Sequence, residues 1–105
     1  MKIYLYICIF FSSFVIASEN KWLGDWIAFD EWQSEFTITL KKNGNASSNY
    51  ANGDLGKWYI VDGNVKIEWE SGKDDFIFSG VMGLQRLHKS KNSSYTSGIS
   101  KKLLN

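Results

Sequence analysis

The chain is predicted to be all-β: an antiparallel meander of six to seven short strands forming a small barrel or curled sheet, after an N-terminal signal peptide. Three observations lead there. The stretch 56–72, GKWYIVDGNVKIEWESG, holds two apolar runs around Asp62-Gly63; a tight hairpin turn needs φ > 0, which Gly and Asp tolerate. Strict alternation follows the turn, with Val65, Ile67 and Trp69 on one face and Lys66, Glu68 and Glu70 on the other, the pattern of a half-buried antiparallel strand. Finally, turn signals recur about every ten residues, at Asn43-Gly44, Asn52-Gly53, Asp62-Gly63 and Ser71-Gly72, with no helical periodicity between them. An open sheet this aromatic would leave edges that aggregate, which favours closure.

Residues 1–17 read as the signal peptide. Lys2 supplies a positive start, residues 3–16 are apolar except for Ser12 and Ser13, and Val15-Ile16-Ala17 sets cleavage before Ser18. The apolar run falls short of the roughly 20 residues of a comfortable membrane span, so no stable span is expected after cleavage. The address is periplasmic or secreted. The one cysteine, Cys8, lies inside the leader, so the exported domain must hold without the disulfides that small secreted domains often need. Its five tryptophans, with Phe29, Phe36, Phe76 and Phe78, offer a core instead.

The β domain is expected over residues 18–88. In its first strand Trp26 and Ala28 face one way and Ile27 and Phe29 the other, which predicts a strand covered on both sides or one wrapped by the chain end. Residues 30–33 form a polar connection carrying Trp32. The next strand points Phe36, Ile38 and Leu40 inward. Residues 46–51 read as a weakly packed edge anchored by Tyr50. In the central hairpin Val61 faces Asn64, so Trp58 pairs with Ile67, and Trp69 lies over Gly56, covering a side-chain gap. Residues 74–79 place Phe76 and Phe78 on one face and Ile77 on the other, and 84–88 read as a closing strand. Residues 89–105, rich in Ser, Lys and Asn, are expected as a basic, disordered tail.

Residues 18–88 carry 7 basic and 11 acidic side chains, and the tail four lysines and no acid. Nucleic-acid binding needs a dense basic face and is not expected.

Gly24-Asp25-Trp26 resembles the G-x-W that opens strand one of lipocalins and the wider calycin group. Gly56-Lys57-Trp58, the Asp62-Gly63 turn, Ile67-Glu68-Trp69 and Ser71-Gly72 look like the G-x-W…I-x-W-x-x-G pattern of small bacterial lipocalin-like domains. The resemblance covers about residues 22–87. It implies a calycin-type β-barrel in which Gly24, Trp26, Gly56, Trp58, Asp62, Gly63 and Trp69 are structural, with Trp26 plugging the base. A barrel this small is generally filled by its own side chains.

No motif assembles a catalytic centre, and no enzyme activity or cofactor is expected. His88, the only histidine, reads as a solvated side chain beside Lys89. No cysteine or second histidine exists in the domain to build a typical zinc site, so no metal is expected. Glu68 and Glu70 share a strand face, with Lys57 or Lys66 near enough to relieve their repulsion. Asp74 and Asp75 point to opposite faces. The candidate binding residues are Asp30, Glu31, Trp32 and Tyr50, an acidic loop with an aromatic beside a barrel mouth; aromatics are enriched at binding surfaces. The expected function is an exported, non-enzymatic, lipocalin-like binding protein engaging an apolar small molecule or a protein partner there. The alternative is a periplasmic inhibitor or immunity-type protein that blocks an exported enzyme. An apolar ligand requires a closed apolar cavity of a few hundred Å³.

Overall fold

A computed structural model describes residues 21–103 of the chain; the expected signal peptide lies outside them. The strands are β1 (Gly24–Phe29), β2 (Glu35–Leu40), β3 (Asn45–Ser48), β4 (Asp54–Val61), β5 (Asn64–Trp69), β6 (Asp74–Gly80), β7 (Gly83–Lys89) and β8 (Ser94–Lys101). Each pairs antiparallel with its sequence neighbours, and β8 returns to β1, so the meander closes into an eight-stranded barrel with no free edge.

Period-two alternation decides what faces inward. The core is Trp26 and Ala28 from β1, Ile38 and Leu40 from β2, Ala46 from β3, Trp58 from β4, Val65, Ile67 and Trp69 from β5, Ile77 from β6 and Ile99 from β8, with Trp22 beneath them. These side chains fill the interior. In the central hairpin Asp62 (φ 53°) and Gly63 (φ 82°) make the turn, and the register is the expected one: Val61 opposite Asn64, Trp58 opposite Ile67, Gly56 opposite Trp69. A Cβ on Gly56 would lie 2.5 Å from the Glu68 carbonyl oxygen and 3.0 Å from the Trp69 ring, so this glycine is required by close approach.

The two ends of the barrel differ. Where β1 begins, three tryptophans are buried: the Trp26 indole donates to the Trp22 carbonyl at 2.9 Å, the two rings lie 5.6 Å apart, and the Trp58 indole donates to the Lys41 carbonyl at 2.8 Å. Trp26 stands within this closed end. The opposite end is an open mouth framed by the β1–β2, β3–β4, β5–β6 and β7–β8 loops.

Three expectations need correction. The segment expected as a disordered tail contains β8. Its inward face holds Tyr95, Ser97 and Ile99; only Ile99 is aliphatic, and the two hydroxyls bond inside the barrel, which conceals the strand in a polar composition. Residues 46–51 are not an edge: β3 pairs with both β2 and β4, Ala46 is buried, and Tyr50 lies beyond the strand in a loop. On β6 the buried positions are Asp75 and Ile77, while Phe76 and Phe78 face outward, half-buried; Phe76 lies beneath the Lys66 and Lys89 ammonium groups.

Gly56→Ala is expected to destabilise the protein by about 1–3 kcal/mol through overpacking. Gly98→Ala, where a Cβ meets nothing within 4 Å, should be neutral or stabilise by up to about 1 kcal/mol. Urea unfolding followed by tryptophan fluorescence measures both.

Candidate functional site at the barrel mouth

β6, β7 and β8 bring an inward-facing polar cluster to the mouth. Asp75 lies directly opposite His88, and His88 opposite Tyr95. Arg86, 1% exposed, reaches from β7 to every neighbouring wall. Its Nη1 donates to Asp75 Oδ1 at 2.7 Å; its Nη2 donates to the Phe29 carbonyl at 2.7 Å and to the Tyr95 hydroxyl at 2.9 Å. The Phe36 ring of β2 lies 5.1 Å from the guanidinium carbon. The Trp69 indole donates to Asp75 Oδ2 at 2.8 Å, so both carboxylate oxygens are used. Arg86 Nε alone is buried without a partner among the described residues.

His88 is not the solvated side chain expected. It is 16% exposed, and its Nδ1 lies 2.8 Å from Asp75 Oδ1. A carboxylate only accepts, so Nδ1 carries the hydrogen. The 3.4 Å approach between Nδ1 and Arg86 Nη1 joins two donors sharing one acceptor and is no bond of its own. Nε2 has no partner among the described residues, and His88 lines the mouth cavity.

Burial pushes the Asp75 carboxyl up, but the His88 hydrogen bond, the Arg86 charge and the Trp69 indole outweigh it and hold the group below its ordinary 3.8. Asp30 is also held low: the Ser34 amide bond is the largest cause, opposed by burial and reinforced by the Trp32 amide, the Tyr50 hydroxyl and Arg86. The Tyr50 hydroxyl is pushed above its ordinary 10.0 by burial and then by the Asp30 carboxylate.

All four expected binding residues line one cavity, of about 410 Å³. They do different things there. Asp30 is buried and occupied, accepting from the Trp32 amide at 2.9 Å, the Ser34 amide at 2.8 Å and the Tyr50 hydroxyl at 3.2 Å. It shapes the β1–β2 loop, and the bond with Tyr50 joins that loop to the β3–β4 loop. The Tyr50 ring packs 4.8 Å from Phe36. Glu31 and Trp32 stand on top, and Trp32 is 74% exposed. Elsewhere, Glu68 pairs with Lys66 at 3.2 Å on the outer surface. Among the described residues no group of three or more His, Cys, Asp or Glu side chains could hold a metal ion.

Sequence reasoning missed Asp75, Arg86 and Tyr95. A signal was present: Asp75 shares a strand face with Ile77, and Arg86 with Leu84. The cavity also differs from a closed apolar chamber. It opens at the mouth and mixes aromatic walls (Trp69, Tyr95) with Lys73, His88 and serines. The chain matches no family model, no curated protein and no solved structure.

Asp75→Ala would leave the Arg86 charge buried and is expected to cost about 3–5 kcal/mol in urea unfolding. The depressed carboxyls set the acid response. Folded Asp30 and Asp75 bind fewer protons than their unfolded counterparts near pH 3.8, so their stabilisation is complete above that pH and is lost as pH falls through the lower folded values. Denaturation midpoints should fall as the pH drops below about 4; Asp75→Asn should flatten that fall.

Proposed function

We propose that the chain is an exported, non-enzymatic binding protein of lipocalin-like type that engages a partner protein at the barrel mouth. One observation carries this reading: Trp32, 74% exposed, stands at the rim of a cavity of about 410 Å³ framed by all four loops of that end. A projecting tryptophan beside a concave site is the anatomy of an interaction hot spot. The Trp32 ring would insert into the partner, and the cavity would receive one of the partner's side chains. Asp30 and Tyr50 would hold the rim rather than touch the partner, because their polar atoms are already bonded to each other and to the loop. The filled interior argues against an enclosed apolar ligand.

An inhibitor or immunity-type role against an exported enzyme is the specific form of this reading, since a rigid loop projecting Glu31 and Trp32 suits occlusion of a cleft. A small amphipathic ligand is the second reading, favoured by a cavity within the roughly 300–1,000 Å³ range of ligand pockets and walled by aromatics.

Affinity capture from native extract with the chain beginning at Ser18 tests the proposal. A stoichiometric protein partner is expected, with Trp32→Ala weakening the complex by about 2–4 kcal/mol and leaving the unfolding midpoint unchanged. A complex indifferent to Trp32→Ala and Glu31→Ala rejects the mouth as the interface. A low-mass adduct in native mass spectrometry, without a protein, selects the second reading.

A further inference from the structure

The closed end carries a surface that the mouth reading does not use. Five lysines gather there from adjacent strands. Lys21 precedes β1, Lys41 and Lys42 follow β2, and Lys101 and Lys102 end β8, and all five are exposed. Register makes them neighbours: Gly24 lies opposite Leu40, and Trp26 opposite Lys101. The tryptophan plug organises them. Lys21 Nζ stands 5.2 Å from the centre of the Trp22 ring, and Lys101 Nζ 5.9 Å from that of Trp26. The Lys41 carbonyl holds the Trp58 indole. The Lys21 and Lys101 ammonium groups thus rest against the plug, and Lys101 Nζ also donates to the Lys21 carbonyl at 3.3 Å. Among the described residues two acids stand at this end: Asp25 on β1, whose carboxylate accepts from Thr39, and Asp62 in the β4–β5 turn; Glu35 lies at the other end of β2.

Beside the lysines projects the β6–β7 tip, Val81 and Met82, 100% and 90% exposed. β7 leaves this tip and pairs with β8 from Gln85 opposite Gly98 onward, so the tip stands at the same end of the barrel as the close of β8 at Lys101. Two adjoining apolar side chains fully in water are unexplained by folding. A basic ring flanking an apolar tip matches an anionic lipid surface, in which the tip enters the acyl boundary and the ammonium groups meet headgroups. The described chain begins at this same end, at Lys21.

We infer that the closed end of the barrel docks reversibly on an anionic phospholipid surface through Lys21, Lys41, Lys42, Lys101 and Lys102, with Val81 and Met82 inserted, leaving the mouth facing away from the bilayer. The occupant is lipid rather than nucleic acid, because the apolar tip gains nothing from a phosphate backbone.

Co-sedimentation with vesicles tests this, using the chain from Ser18; its barrel closes entirely within residues 24–101, so removing the leader breaks no strand pairing. Binding is expected to phosphatidylcholine vesicles containing phosphatidylglycerol, not to phosphatidylcholine alone, and to weaken with added salt. Each lysine near an anionic surface is worth about fivefold in affinity, so Lys41→Gln with Lys42→Gln should weaken binding by about 25-fold. Met82→Asp, at a site with no packing to lose, should reduce binding and abolish protection of the tip from water-soluble quenchers. Circular dichroism confirms that both variants fold. No binding to phosphatidylglycerol vesicles, equal binding to both vesicle types, binding to heparin or DNA only, or variants that bind like the parent would each overturn the inference.

Discussion

Arg86 is the side chain on which the open half of the barrel depends. Backbone pairing between β1 and β8 stops at Ala28 on the side of the mouth. Beyond Ala28, toward the mouth, the seam is held by side chains: Arg86 and the Ser97 hydroxyl both donate to the Phe29 carbonyl, at 2.7 and 2.9 Å. The same guanidinium binds β6 through Asp75 and β8 through Tyr95, and lies against Phe36 of β2. A buried charge is costly unless it is paired and hydrogen-bonded, and both terminal nitrogens of Arg86 find partners while Nε finds none among the described residues. That cost makes the arrangement specific: an alternative register of β7 against β6 would separate Arg86 from Asp75, and one of β8 would take the Tyr95 hydroxyl away from the guanidinium.

The two ends are built on different physics. Where β1 begins, the Trp22 and Trp26 rings pack at a tilt and the Trp26 and Trp58 indoles donate to backbone carbonyls, so the end is sealed by area and by satisfied N–H groups. At the other end, a charged network takes the place of a plug and leaves space above it. This division lets one small barrel without disulfides present two unlike surfaces. One is a concave mouth with aromatic walls and a histidine edge; the other is a basic face with an apolar tip.

Asp30 and Asp75 show why carboxylates near a cavity are ambiguous in a sequence. Each is almost fully enclosed, each accepts at least three hydrogen bonds, and each holds its proton weakly. Their work is architectural: Asp30 sets the loop that projects Trp32, and Asp75 sets the tautomer of His88. Residues free to touch another molecule, Trp32, Glu31 and the Nε2 edge of His88, owe their placement to these two.

Much of the fold was legible because its causes are local. The Asp62-Gly63 turn and the alternation of residues 65–70 require a hairpin in one register, and the close approach of Trp69 to Gly56 follows from counting outward. Clean alternation likewise identified Ile38 and Leu40 as interior. Legibility ended where the interior turns polar. The inward face of β8 is Tyr95, Ser97 and Ile99, which reads as a tail until Arg86 is there to donate to the Tyr95 hydroxyl and the Phe29 carbonyl to accept from Ser97. At the site, Trp32 and Tyr50 stood out as aromatics among polar residues, but Asp75, Arg86 and His88 join only across the strands. By itself the sequence determined an antiparallel, turn-rich chain with a tryptophan core, since turn chemistry and two-residue periodicity act over a few bonds. Tertiary structure alone decided that the last strand closes the barrel, that Asp75 and Arg86 are buried as a pair, and which end stays open, because a charge is tolerated inside only when distant strands deliver its partners.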